Sequence, residues 1–184
     1  MRGICLLINN IPDLLEAEKQ LTDLFKYLSF DMQVRRSLKR NQINEVAEEF
    51  ANKDHSKFDS FVCIVMSFGQ GNDINGVDGR KASLEEVMTE YTATNCRTLR
   101  CKPKLFFVQR FTVLKPSKFE HGLTQSQCCT DKGVEMRSLC PRTNTFGGNC
   151  PEEADFLLAC VTSAICNANP GPDALFIQVR SFVK

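Results

Sequence analysis

The chain lacks the marks of several large protein classes. It has no charge excess: 23 Lys and Arg stand against 22 Asp and Glu, a formal net charge of +1. Nothing in that balance supports binding to nucleic acid or to an acidic membrane surface. No apolar run approaches the roughly 18–20 residues that a membrane-spanning helix requires. The apolar stretch at residues 3–8 is short and ends in Asn9-Asn10-Ile11-Pro12 with no small-residue cleavage site, so it reads as a strand and not as a secretory leader. The expected compartment is the cytoplasm. Ten cysteines include no Cys-x-x-Cys pair, which argues against a structural zinc site, and a reducing cytosol argues against a disulfide framework. Cys5 and Cys63 sit in apolar strand patterns, where a free thiol behaves as a small hydrophobe. There is no internal repeat, and no metal or cofactor is implied.

What is present is the composition of an ordinary globular domain, 184 residues with 42% apolar and 24% charged side chains. Residues 3–9 form a near-continuous apolar strand of the kind buried on both faces. Residues 13–28 carry Leu14, Leu15, Leu21, Leu24, Phe25 and Leu28 at helical spacing, with Asp13 as the expected N-cap. Phe30, Met32 and Val34 alternate with polar residues, the pattern of a half-buried strand. A second helix is expected from Asn41, carrying Ile43, Val46, Ala47 and Phe50, and a central strand at 61–66. Gly71 through Gly79 reads as turns or a hairpin, and Ser83-Leu84-Glu85-Glu86 as a capping box for a helix reaching about Tyr91. Strands and helices alternate, which predicts an α/β domain with a mostly parallel sheet. Residues 112–150 dissolve into polar, small and cysteine residues and read as a flexible linker. A strand at 154–161, a turn at Asn169-Pro170-Gly171-Pro172 and a helix at 174–183 follow.

The stretch Lys104-Leu105-Phe106-Phe107-Val108-Gln109-Arg110-Phe111 reads as a central strand with an exposed polar end. Ligands in open α/β sheets bind just beyond the carboxyl ends of such strands. His55 lies in a polar loop before the third strand and reads as structural. Cys96 and Cys101 precede the strand and should lie at its opposite end, which disqualifies both as nucleophiles. Arg35-Arg36 with Lys39-Arg40 reads as a solvated basic face.

Several of these stretches, in this order, resemble the caspase family of cysteine peptidases: residues 3–10, His55-Ser56 with residues 59–63, Gly76-Val77-Asp78-Gly79, residues 102–109, residues 153–157 and residues 175–178. The resemblance implies a caspase-like three-layer sandwich with helices on both faces of the sheet. It divides the chain into a large-subunit-like region at 1–111, an inter-subunit linker at 112–150 and a partial small-subunit-like region at 151–184. The chain stops at Lys184, which implies that the family's final dimer-interface strand is absent. The family's Gln-Ala-Cys motif falls on Gln109-Arg110-Phe111, so Phe111 stands at the position of the catalytic cysteine; its Ser-His-Gly falls on Ser67-Phe68-Gly69, so Phe68 stands at that of the histidine. Of the groups that hold a substrate aspartate in the family, only Gln109 remains. The loop at Ile11-Pro12-Asp13-Leu14 and the segment Cys166-Asn167-Ala168-Asn169 both lack the expected arginines.

Within the family the pattern is most similar to the catalytically inactive FLICE-like inhibitory proteins. The function so implied is that of a pseudoenzyme regulating cell death by binding an active initiator caspase. Nucleic acid, membranes and small-molecule substrates are not expected as partners. A residual peptidase using a non-standard residue is the alternative. Asp131, in the linker, is a candidate cleavage site for an active caspase.

Overall fold

A computed structural model describes residues 1–113, 131–138 and 155–165. Its centre is a six-stranded sheet in the order β2-β1-β3-β6-β8-β7. The strands are β1 (Gly3–Asn9), β2 (Phe30–Arg36), β3 (Ser60–Phe68), β6 (Lys104–Val113), β7 (Asp131–Ser138) and β8 (Phe156–Ile165). All neighbours pair in parallel except β7, which runs antiparallel to β8 along one edge. A two-stranded hairpin, β4 (Asp73–Asn75) with β5 (Lys81–Ser83), stands beside the sheet. The helices are α1 (Leu15–Tyr27), α2 (Arg40–Ala51) and α3 (Leu84–Thr89).

The two-residue period of the strands sorts their side chains between two cores. Leu6, Ile8, Cys63, Val65, Phe106 and Val108 face α2 and α3, where they meet Ile43, Phe50, Leu84 and Val87. Cys5, Leu7, Val62, Ile64, Met66 and Phe107 face α1, where they meet Ala17, Leu21 and Phe25. The result is three layers around a mostly parallel sheet, the α/β architecture expected. β1 is buried along its whole length, and β2, at the other edge, is half-buried over six of its seven residues.

Several local expectations are corrected. Asp13 does not cap α1: Pro12–Leu14 form a 3-10 turn, and α1 begins after it with no side-chain cap. Proline pre-sets the φ of a first turn, and here that turn precedes the α-helix. α2 opens at Arg40, where the Lys39 N–H donates to Gln42 Oε1 at 2.9 Å. Ser83 does cap α3, its hydroxyl accepting the Glu86 N–H, but α3 ends at Thr89, short of Tyr91.

The segment expected to be structureless contains β7, in backbone register with β8 from Asp131↔Ser163 to Ser138↔Leu157 and interrupted by a bulge between Lys132 and Val134. Asp131 is therefore the first residue of an edge strand. β8 runs four residues beyond the expected end at Val161. The basic stretch is largely ion-paired: Arg36 holds Glu18 at 2.5 Å, Arg35 reaches Glu49 at 3.4 Å and lies over the Phe50 ring, and Arg40 reaches Glu86 at 3.6 Å. The expected turn at 169–172, the helix at 174–183 and the arginine-free segment at 166–169 lie outside the described residues. Among the described residues no helix is long and apolar enough to cross a membrane.

Candidate functional site

β3 and β6 end side by side, with Met66↔Gln109, Ser67↔Arg110 and Phe68↔Phe111 in register. The pairing continues past the ladder, where the Gly69 N–H donates to Phe111 O at 3.1 Å and the Thr112 hydroxyl donates to Gly69 O at 3.2 Å. Alternation then decides what each residue faces. Phe68, Gln109 and Phe111 point to the α1 side; Ser67 and Arg110 point to the side of α2 and α3. Phe111 is 4% exposed. Phe68 is half-buried, and the two rings meet edge to face with centroids 6.3 Å apart, a geometry in which the positive edge of one ring meets the negative face of the other.

The polar end of β6 is not exposed, contrary to expectation. Gln109 and Arg110 are 2% and 6% exposed, because β6 continues to Val113 and β8 runs beside it to Ile165. Gln109 Nε2 donates to the Ser163 hydroxyl at 2.8 Å, while its Oε1 is buried without a hydrogen-bond partner among the described residues.

A cleft of about 610 Å³ opens at these strand ends, between the Phe68–Phe111 pair and the β4–β5 hairpin. Asn10 ties the hairpin to the sheet. Its Oδ1 accepts the Leu38 N–H at 2.8 Å, and its Nδ2 donates to the carbonyls of Leu38 and Asn75, both at 3.1 Å. The Ser67 hydroxyl donates to Asn75 O at 2.6 Å. Gly76 begins the turn that joins β4 to β5, and only glycine fits there: a Cβ would lie 2.3 Å from the Arg40 nitrogen and 2.7 Å from the Lys39 carbonyl carbon. Asp78 closes the same turn by accepting the Arg40 and Arg80 N–H groups.

The described lining residues offer limited chemistry. Among the described residues that line the cleft there is no cysteine, histidine or carboxylate; Lys81 is the one charged residue among those, and it pairs with Asp73 at 3.3 Å. Ser67 and Thr112 supply hydroxyls, but both donate to main-chain carbonyls and neither faces a base among the described residues. A weak nucleophile needs an adjacent base or a lowered pKa to attack a carbonyl. The described lining residues offer neither.

The other candidates lie elsewhere. His55 is fully buried ahead of β3, its Nε2 2.8 Å from Phe50 O and its ring edge-on to Phe58 and Phe61. Burial pushes its pKa below the usual value, a shift only partly opposed by the Phe50 carbonyl. Cys96 is buried and Cys101 exposed, both before the amino end of β6 and remote from the cleft. Burial pushes the Cys63 thiol up to about 12, and burial with the neighbouring Cys63 raises Cys5 well above the ordinary value. Neither forms a thiolate near neutral pH. Among the described residues no cluster of His, Cys, Asp and Glu could hold a metal ion.

The Asn10 clamp and the burial of Arg110 are the parts of the site that the sequence reading missed. The Asn9-Asn10 pair directly after a fully apolar strand was the available signal, since buried amides are retained where they satisfy main-chain groups.

The caspase domain family matches residues 2–178 of the chain. The chain is 30% identical over 186 residues to caspase-8 of Mus musculus, an alignment covering 90% of this chain and 37% of that protein. It is likewise 30% identical over 190 residues to caspase-3 of Mesocricetus auratus, covering 96% of this chain and 62% of that protein. The chain therefore spans between 37% and 62% of the length of these two relatives.

Proposed function

The chain belongs to the caspase domain family, and from that premise we propose that it is a catalytically inactive member, similar to the FLICE-like inhibitory proteins, that regulates cell-death signalling in the cytoplasm by binding an active initiator caspase. One observation carries the reading. Phe68 and Phe111, which stand where the family's motifs place the catalytic histidine and cysteine, are adjacent in register and pack on each other at the strand ends. On this reading two phenyl rings take the places of base and nucleophile, and their contact at the strand ends supports it. A phenyl ring can neither attack a carbonyl nor carry a proton, so no acyl-enzyme forms. The missing pocket arginines add a second obstacle, because a substrate aspartate would be buried without a cationic partner. The retained scaffold still offers a caspase-like surface, which is what a regulator needs.

The test has two arms. Purified protein is incubated with aspartyl peptides, and separately mixed with an active initiator caspase whose peptide cleavage is followed. No cleavage by the chain itself, with a changed rate for the caspase, is the expected result. Failure to bind or modulate any caspase of the same organism would remove the regulatory part of the proposal. Cleavage by the chain itself would instead restore it to the enzymes.

A further inference from the structure

Arg110 occupies a position that the described residues do not complete. The residue is 6% exposed, and its Nε and Nη1 are buried without a hydrogen-bond partner among the described residues. None of the ion pairs among the described residues includes it, and the ring contacts of cations there are made by Arg35, Lys53 and Lys104. A guanidinium keeps its charge throughout the range in which proteins fold, and it has donors only. Burying it unpaired is strongly unfavourable. The other buried cation of the same strand shows the usual solution: Lys104 donates to the carbonyls of Leu99 and Lys102.

We infer that Arg110 is the anchor of an anion site, on the face of the sheet opposite the Phe68–Phe111 pair, that takes the carboxylate of an acidic side chain from a protein partner. Thr162 stands beside Arg110 in register on β8 and is only half-buried. It gives the site an approach from solvent and a hydroxyl able to donate to the same anion. On the other flank, Ser67 already donates to Asn75 O. The charge count selects the ligand. Among the side chains described there, Arg110 and Thr162 offer one positive charge and one neutral donor, which suits the single charge of a carboxylate, whereas a phosphate near neutral pH carries close to two. The inference does not depend on the loss of catalysis: the anion site lies on the other sheet face from both phenyl rings.

The experiment uses the full chain and measures its melting temperature in sodium acetate against sodium chloride at equal ionic strength. Acetate should raise Tm saturably, by about 3 °C at ten times its dissociation constant. Arg110→Met should abolish that rise and should melt no lower than wild type in chloride, because it removes an unpaired buried charge. Thr162→Val should weaken the acetate response. A short peptide amide containing one Glu should bind more tightly than acetate, with its Gln counterpart silent.

An equal acetate response in Arg110→Met would overturn the assignment. So would a wild type indifferent to acetate combined with a strongly destabilised Arg110→Met, since that pair of results places the counter-charge within the chain. Exclusion of the Glu peptide while acetate binds would overturn the protein source. If Arg110→Met does not fold, the Nε–H resonances of wild-type arginines decide the point: a saturable shift of one slowly exchanging signal with acetate supports the site, and no shift refutes it.

Discussion

Removing the Phe111 ring should expose how the end of the sheet is held together. Phe111 is 4% exposed and belongs to the core on the α1 side. Truncation of a buried phenylalanine to alanine costs roughly 3–5 kcal/mol through lost transfer energy and the cavity left behind. For a chain of this size each kcal/mol lowers Tm by about 2–4 °C, so Phe111→Ala should melt roughly 6–20 °C lower. Phe68 is half-buried, and Phe68→Ala should cost about 1–2 kcal/mol by the area it returns to water. The edge-to-face contact predicts a coupling of about 0.5–1.5 kcal/mol between them, so the double variant should lose less than the sum of the single losses. The assay is urea unfolding followed by far-UV circular dichroism, since the chain contains no tryptophan to serve as a fluorescent reporter. Additive losses, or a Phe111→Ala cost below about 1 kcal/mol, would show that the rings do not pack on each other and that the cleft is open where they are placed.

Three further predictions follow from the surroundings of the site. Asn10→Ala leaves the Leu38 N–H without its acceptor and two main-chain carbonyls without their donor; it should cost about 2–3 kcal/mol by urea unfolding, with faster amide exchange in the β4–β5 hairpin as the local signature. His55 has a folded pKa below its unfolded value of about 6.5, so the unfolded chain takes up a proton before the native one does. Its contribution is complete above that pH and is lost as pH falls below it, and His55→Gln should flatten the decline in Tm between pH 7 and 5. Among the described cysteines, a thiol reagent at pH 7.5 should label exposed Cys101 readily and leave Cys5 and Cys63 unlabelled until the protein unfolds, as read by mass spectrometry of native and denatured samples.

How much of this was legible in the sequence depended on how local the determining interactions are. β1 and β3 read correctly because strands covered on both faces are continuously apolar. α2 read correctly because Ile43, Val46, Ala47 and Phe50 fall on one helical face. β7 was invisible because an edge strand carries charges and a bulge, here at Gly133, which are the devices that keep edges from pairing and that also erase the apolar alternation. The end of β6 misled for a related reason. Gln109 and Arg110 look like residues entering solvent, and what buries them is β8, with the Gln109 hydrogen bond reaching 54 residues along the chain to Ser163. The Asn10 clamp spans 28 and 65 residues to its partners; periodicity carries no information about such distances. The two phenylalanines were found by resemblance, since a phenylalanine in an apolar strand announces only burial, and their contact emerged from the register of β3 with β6.

The most direct test of the account is an aspartyl-peptide cleavage assay on the purified chain, run beside a sample with all accessible thiols alkylated. Neither sample should turn substrate over above the buffer rate, and Phe68→His with Phe111→Cys, a pair that supplies the nucleophile and base without the pocket arginines, should not restore cleavage. Turnover by the unmodified chain that alkylation abolishes would contradict this reading, because it would require a reactive cysteine, and the described residues of the cleft lining include none.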